Sequence, residues 1–311
     1  MPGFVHTTVL LREVVAGLQP YPGGRYVDLT VGGGGHAAAI LEASAPTGWL
    51  LGIDRDPEAL AAAAQRLAAF AGRFELREGS FERLGDWVAA GSCEGIVGDL
   101  GVSAYQLEEA ERGFSFLRDG PLDMRLAGGG GQTAADLVNR SSVETLVRLF
   151  EELGDEPHAR AIARAIGRER ERAPFVSTRQ LAALIERVVP RRGQPTHPAT
   201  RVFLALRLAV NDELGALERG LGAAWRALKR HGRLAIITFH GGEVRVVRRF
   251  VRNLERDYEV AGEVDVPEFR RPRPAQLRRV NRRPVRPSAA ELAVNPRARS
   301  AQLWVMEKLV D

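Results

Sequence analysis

The spacing of apolar positions divides the chain into two stretches of alternating strand and helix, separated by one that is helical throughout. Residues 25–29 form a short apolar run ending in a glycine-rich turn, and residues 36–42 continue as a helix. Residues 49–54 repeat the strand and residues 57–67 the helix, with Pro57 where a first helical turn tolerates it. Residues 74–77 and 95–100 read as third and fourth strands. This rhythm predicts a doubly wound α/β fold, because parallel strands need crossover connections. The pattern resumes with a long apolar-periodic helix over about residues 200–229 and a nearly continuous apolar run at 233–239, typical of a central parallel strand. A helix at 244–254 and candidate strands at 258–261 and 302–306 complete a predicted sheet of about seven strands.

The middle stretch predicts helices at 133–139, 142–154, 160–172 and 177–189. Ser141, Ser142 and Ser177 are candidate helix caps, and Ser177 with Gln180 three positions on has the form of a capping box. The expected organisation is one discontinuous domain, residues 1–107 and 207–311, interrupted by an all-helical insert at 108–206, with glycines 128–131 as a flexible joint.

Composition narrows the class. A chain of 311 residues, 45% hydrophobic, can bury a full core. Its opening residues lack a basic segment followed by an apolar one, and no apolar run approaches the roughly 18 residues of a membrane helix, so a cytoplasmic protein without membrane contact is expected. Cys93 is the only cysteine, which excludes an intramolecular disulfide and a thiolate metal cluster within one chain; no metal site is predicted. The net charge of +5 comes mainly from arginine, which suits phosphate and nucleic-acid bases and equally a solvated surface.

Chemistry concentrates at strand ends. The run Asp28-Leu-Thr-Val-Gly32-Gly-Gly-Gly35-His36 places an acid at the end of the first strand and four glycines in the turn opening the next helix, where a ligand can approach the backbone closely. Gly33, Gly35 and Ala38 satisfy the loose dinucleotide spelling, so a nicotinamide-dependent dehydrogenase is one rival reading. Asp28 argues against it: a carboxylate beside the turn would repel a pyrophosphate but attract the ammonium and sulfonium of S-adenosylmethionine. Asp54 ends the second strand, where it can accept both ribose hydroxyls of either ligand. Phe81 offers an apolar face for adenine, with an ordinary core role as the alternative, and Asp99 closes the row at the fourth strand. His240 ends the fifth strand, as a helix cap or a group facing the target base.

Two arginine clusters invite a polyanion. Arg160, Arg164, Arg168 and Arg172 recur every four positions, on a different helix face from Ile162 and Ile166. Residues 270–286 hold eight arginines and no acid, among them Arg278, Arg279, Arg282 and Arg283, and Pro272, Pro274 and Pro284 predict a loop.

Several blocks then fall into a known arrangement: His6-Thr-Thr-Val-Leu-Leu11, Gly34-Gly-His36, Gly52-Ile-Asp-Arg-Asp-Pro57, Asp99-Leu-Gly-Val-Ser103, Arg112-Gly-Phe-Ser-Phe116, Asp119-Gly-Pro-Leu-Asp-Met-Arg125, His197-Pro-Ala-Thr-Arg201, Val210-Asn-Asp-Glu-Leu214 and Asn295-Pro-Arg-Ala-Arg-Ser300. On these the chain resembles the MraW family, also called RsmH, the ribosomal RNA small-subunit methyltransferase H proteins that form N4-methylcytidine. The resemblance implies a class I S-adenosylmethionine-dependent methyltransferase of Rossmann-like fold with a helical insert. It also implies cofactor contacts at Gly34, Gly35, His36, Asp54, Phe81, Asp99 and Gln106, and ribosomal RNA as partner, bare or in the assembled small subunit; a homodimer is left open. The chain departs from the family at Ala104-Tyr105, before Gln106, where Ser-Pro is usual, and at Gly241-Gly-Glu-Val-Arg245, where Ser-Leu-Glu-Asp-Arg is usual. Asp99 and the adjacent Leu100-Gly-Val-Ser103 turn are the candidate acceptors for the protons of the cytosine amine, whose lone pair is delocalised into the ring and needs localising for attack.

Overall fold

The computed structural model describes residues 8–101, 109–126, 130–191, 193, 196–262 and 264–311. Its contacts form two compact units, Met1–Gly101 with Leu214–Asp311, and Val102–Glu213. The first unit opens with α1 (Leu11–Leu18), β1 (Arg25–Asp28), α2 (Gly35–Ala43), β2 (Trp49–Asp54), α3 (Pro57–Leu67), β3 (Phe74–Glu78) and β4 (Cys93–Asp99). Asp56 caps α3 by accepting the Glu58 N–H, with Pro57 in the first turn where no N–H donor is needed.

The second unit holds α4 (Ala134–Arg140), α5 (Val143–Glu152), α6 (Ala159–Arg170), α7 (Thr178–Val188) and α8 (Thr200–Val210) around a core that includes Phe150, Ile162, Ile166, Ile185 and Leu206. Ser177 and Gln180 form the expected capping box at α7. Ser142 caps α5, whereas Ser141 is the residue that ends α4. Thr133 and Asp136 make a further capping box at α4.

The first unit resumes with α9 (Glu213–Ala227), β5 (Leu228–Thr238), α10 (Gly241–Glu255), β6 (Tyr258–Val260), β7 (Arg270–Pro272), β8 (Leu277–Arg279), α11 (Ala289–Val294) and β9 (Gln302–Lys308). Seven strands form one sheet in the order β3-β2-β1-β4-β5-β9-β8. Strands β1 to β5 are parallel and β9 runs antiparallel beside β5. Alternating side chains feed two cores. Val27, Leu51, Ile96 and Leu234 join one with Leu217 and Val247; Tyr26, Leu50, Val97 and Ala235 join the other with Val14 and Ile40. No described helix is long and apolar enough to cross a membrane.

Four expectations change. The single helix read over 200–229 is two, because Asp212 turns into the left-handed region at φ 46° and Asn211 ends α8. Periodicity is blind to such a break, since both helices keep their apolar stripes. The unit boundaries accordingly fall at 101/102 and 213/214, not 107/108 and 206/207, and α8 places Val202, Phe203, Ala205 and Leu206 in the helical core. Strand 258–261 lies outside the main sheet: β6 pairs with β7, and β8 takes the edge position instead. The arginine-rich segment 270–286 is therefore not all loop: β7, ending at Pro272 opposite Tyr258, pairs with β6, and β8 pairs with β9.

Candidate functional site

The strand order reverses between β1 and β4, which run parallel side by side while their chain connections lead to opposite halves of the sheet. In open α/β sheets the crevice at the carboxyl ends of two such strands is where ligands bind. Asp28 ends β1, Asp99 ends β4 and Asp54 ends the neighbouring β2.

These acids are held differently. Asp54 Oδ2 accepts the Gly32 N–H at 2.9 Å and its Oδ1 the Asp56 N–H at 3.0 Å, so it anchors both the glycine turn and the cap of α3. Asp28 is 1% exposed and, among the described residues, accepts only the Thr30 N–H, at 3.2 Å. Thr30 Oγ1 in turn accepts the Asp99 N–H at 2.8 Å, tying the ends of β1 and β4 together. Asp28 Oδ2 and Asp99 Oδ1 are buried and have no hydrogen-bond partner among the described residues. Burial pushes the Asp28 carboxyl up to about 7, partly offset by the Thr30 N–H and reinforced by Asp54. Burial likewise raises Asp54. It raises Asp99 well above the usual carboxylate range, with repulsion from Asp28 and from Glu243 adding to it.

The turn between β1 and α2 supplies donors. Gly32 and Gly34 have φ of 48° and 76°, a region that side chains rarely enter. Gly34 caps α2 without a side-chain acceptor, and a helix start of this kind leaves N–H donors for a ligand to use. The glycines do not serve ligand approach alone. A Cβ on Gly34 would lie 3.2 Å from Ala63 Cα, and one on Gly35 1.8 Å from Thr8 Oγ1, so α2 packs this closely on α3 and on the segment before α1. His36 Nε2 donates to the Val9 carbonyl at 2.9 Å, and its Nδ1 lies 3.9 Å from Asp99 Oδ2. Phe81 is half-buried against the core of α9, where a Cβ on Gly220 would come within 2.3 Å of its ring. His240 caps α10 with Glu243 in a capping box, the first of its two expected roles. Glu243 itself accepts the Phe239 N–H at 2.6 Å and the His240 N–H at 3.2 Å. Sequence reasoning passed over Thr8, Thr30 and Glu243, because nothing in their spacing distinguishes them from ordinary core and cap residues. Gln106 lies outside the described residues.

The arginine clusters divide. Arg160, Arg164 and Arg168 are exposed on α6, while α6 ends at Arg170 and Arg172 follows it in a turn, so the stripe has three members on the helix. Arg160 and Arg164 line a shallow recess of about 390 Å³ with Arg148, Glu144 and Glu151, and Arg160 lies 3.5 Å from Glu151. Arg278, Arg279, Arg282 and Arg283 are all exposed, with Arg278 paired to Glu307 at 2.9 Å and Arg279 to Glu255 at 2.9 Å.

A cation entering the crevice must ionise Asp28, which gives a pH signature. Below about pH 7 the ligand has to displace a proton, so affinity for S-adenosylmethionine should fall by up to about tenfold per pH unit and level off above. In the free protein the sign is opposite: the raised carboxyl contributes its full stability below 3.8 and loses it as pH climbs to about 7. Calorimetry across that range in two buffers of different ionisation heat checks both affinity and proton release; a flat profile would rule Asp28 out as the titrating group.

The sequence profile of the MraW methylase family matches residues 3–309. A ribosomal RNA small subunit methyltransferase H of Shewanella denitrificans is 43% identical over 98% of this chain and 98% of its own. Proteins of the same name from Syntrophotalea carbinolica and Methylorubrum extorquens are 46% and 48% identical, over 98% and 97% of this chain and 98% and 86% of theirs. A solved rRNA methylase from Streptococcus thermophilus aligns over 96% of this chain and 92% of its own with a TM-score of 0.43 and 13% identity.

Proposed function

We propose, from the premise that this chain belongs to the MraW methylase family, that the crevice between β1 and β4 binds S-adenosylmethionine and there methylates the exocyclic N4 of a cytidine in small-subunit ribosomal RNA. The chain is an enzyme, an S-adenosylmethionine-dependent ribosomal RNA methyltransferase. The observation that carries the site is the pair of buried carboxyl oxygens, on Asp28 and Asp99, that no described group satisfies. A buried acceptor left without a donor costs about 1–3 kcal/mol, so such a pair persists where a ligand completes it. A molecule with an ammonium, a sulfonium and two vicinal hydroxyls fits this set of acceptors, and a pyrophosphate does not.

The donor brings a methyl group already activated for in-line displacement; the protein's residues have only to bind, orient and exclude water. Asp28 faces the ammonium and sulfonium, the N–H groups at Gly35 and His36 take the donor's carboxylate, and Asp54 accepts the ribose hydroxyls. Phe81 has its ring against α9 and offers adenine the remaining face, and Gln106 joins this set on family grounds. Asp99 accepts from the cytosine amine, with His36 oriented beside it by Val9. The insert recognises RNA through Arg160, Arg164 and Arg168, and Arg282 and Arg283 add phosphate contacts; Arg278 and Arg279 shape that segment through their acids. The acceptor is a base turned out of its stack, the enzyme works in the cytoplasm, and its substrate is ribosomal RNA, bare or in the assembled small subunit.

The test is to incubate the purified chain and labelled donor with ribosomal RNA and with small subunits from a strain lacking this activity, then analyse the nucleosides by mass spectrometry. N4-methylcytidine is the expected product, and sedimentation of the active species reads whether one chain or a homodimer carries it. A methyl on a base carbon or a ribose would refute the assignment. Failure to take up S-adenosylhomocysteine at millimolar levels would remove the site.

A further inference from the structure

The cap of α10 uses only one edge of the His240 ring. Nδ1 accepts the Glu243 N–H at 3.5 Å, so the ring proton sits on Nε2. A Cβ on Gly242 would lie 3.1 Å from His240 Nδ1 and Cε1, which places that edge of the ring on the first turn of the helix. Nε2 is buried and has no hydrogen-bond partner among the described residues. Glu243 Oε1 lies 3.3 Å from it, but off the direction of the N–H, so the pair is an ion-pair contact without a hydrogen bond. Capping asks for an acceptor alone, and asparagine or serine would supply one without burying a donor. A buried donor left unanswered destabilises the fold, so capping does not account for an imidazole here.

Position does account for it. Strands β4 and β5 are parallel neighbours with Asp99 opposite Ile237, and the Leu100 N–H donates to the Ile237 carbonyl at 3.1 Å. His240, two positions past the end of β5, therefore stands at the same carboxyl edge as Asp99. Glu243 connects the two, since it touches Nε2 and its charge helps to raise the Asp99 carboxyl. Two unsatisfied atoms of opposite kind thus share one edge, the acceptor Asp99 Oδ1 and the donor His240 Nε2. Cytosine carries the complementary pair side by side, an amine that donates and, next to it, a ring N3 that accepts. Uracil carries the inverse, an O4 that accepts and an N3–H that donates, and would set like against like at both groups. A base turned out of its stack is read on this edge.

We infer that His240 Nε2 donates to N3 of the target cytosine while Asp99 accepts from its amine, so that the ends of β4 and β5 together select the base and fix its plane. This rests on the reading of the chain as a methyltransferase of cytidine N4. Two full-length variants separate the two uses of the ring. His240→Asn keeps an acceptor for the Glu243 N–H but has no donor reaching as far as Nε2; His240→Gln carries a donor about that far out but caps poorly. On ribosomal RNA at saturating donor, the asparagine variant should lose at least about tenfold in kcat/KM while melting and binding S-adenosylhomocysteine as the unaltered chain does. The glutamine variant should be the less stable and the more active of the two. The reverse order, with asparagine as active as the parent and glutamine weak, makes His240 a cap alone and overturns the contact. So does an asparagine variant that unfolds or loses S-adenosylhomocysteine. The atom itself is tested on an RNA carrying 3-deazacytidine at the methylated position, where a ring C–H replaces the acceptor. The penalty for this change should be at least about tenfold smaller in the asparagine variant than in the unaltered chain, because the partner is already gone; an equal penalty in both overturns the contact. If the unaltered chain forms no N4-methylcytidine, the enzyme reading falls and the contact with it; formation together with an equal penalty overturns the contact alone.

Discussion

Replacing Asp99 with alanine is expected to lower methyl transfer at least about a hundredfold while leaving the protein as stable as before, or more so. Removal of one preorganised hydrogen-bonding group at a reacting centre costs about 10²–10³ in rate, and Asp99 is the acid proposed above to accept from the cytosine amine. Stability moves the other way because the carboxyl is a liability in the free protein. One of its oxygens is buried without a partner, and it is crowded by Asp28 and Glu243. Alanine removes that penalty and keeps the backbone N–H that Thr30 accepts. Initial rates on ribosomal RNA, calorimetry with S-adenosylhomocysteine and thermal melting together decide it. Activity within about fivefold of the parent would withdraw the role. A large loss of stability would mean that Asp99 is structural.

The largest effect on stability should come from Gly113 and Gly120 in the helical unit. Gly113 has φ of 70°, and a Cβ there would sit 2.1 Å from the Pro121 carbonyl oxygen and 2.9 Å from the Asp123 nitrogen. A Cβ on Gly120 would sit 1.9 Å from the Ala110 carbonyl oxygen. Each glycine thus lies against the backbone of the segment that carries the other, and Met124 N–H donates to the Arg112 carbonyl across the same contact at 3.0 Å. Backbone cannot yield as a flexible side chain would. Gly113→Ala combines left-handed strain of about 1–2 kcal/mol with that overlap, and a total loss of about 3 kcal/mol or more is expected. For a unit of this size that is a fall in melting temperature of more than about 10 °C. Chemical denaturation followed by far-ultraviolet dichroism measures it; a loss under about 1 kcal/mol would show that the loop relaxes. Gly130→Ala is the control for the overlap alone, since Gly130 has φ of 83° and shares the left-handed strain while a Cβ there meets nothing within 4 Å.

The contrast between those two motifs and the strand ends shows where sequence reasoning had purchase. Asp28, Asp54 and Asp99 were legible because an apolar run that stops at an acid before glycine or loop marks a strand end, and register then aligns the three. The reciprocal fit of Gly113 and Gly120 was visible only as a recurring motif; no periodicity says that two loops will stack backbone on backbone. Arg278 and Arg279 misled for a related reason. Their density read as an open cationic loop, but Glu255 and Glu307, distant in sequence, pair with them at the surface.

Local rules operating over a few residues, namely apolar period, glycine and proline chemistry, and cap spelling, were enough to determine that this chain builds a parallel sheet with a helical insert and rims it with acids. Its folding in three dimensions settled what those rules cannot reach: which carboxyls lose water and rise toward neutrality, which arginines are answered by acids, where one apolar stripe breaks into α8 and α9, and which strand takes the sheet's edge. The physical reason is that desolvation, charge pairing and backbone contact depend on distances between segments far apart along the chain, and those distances exist only once the cores have closed.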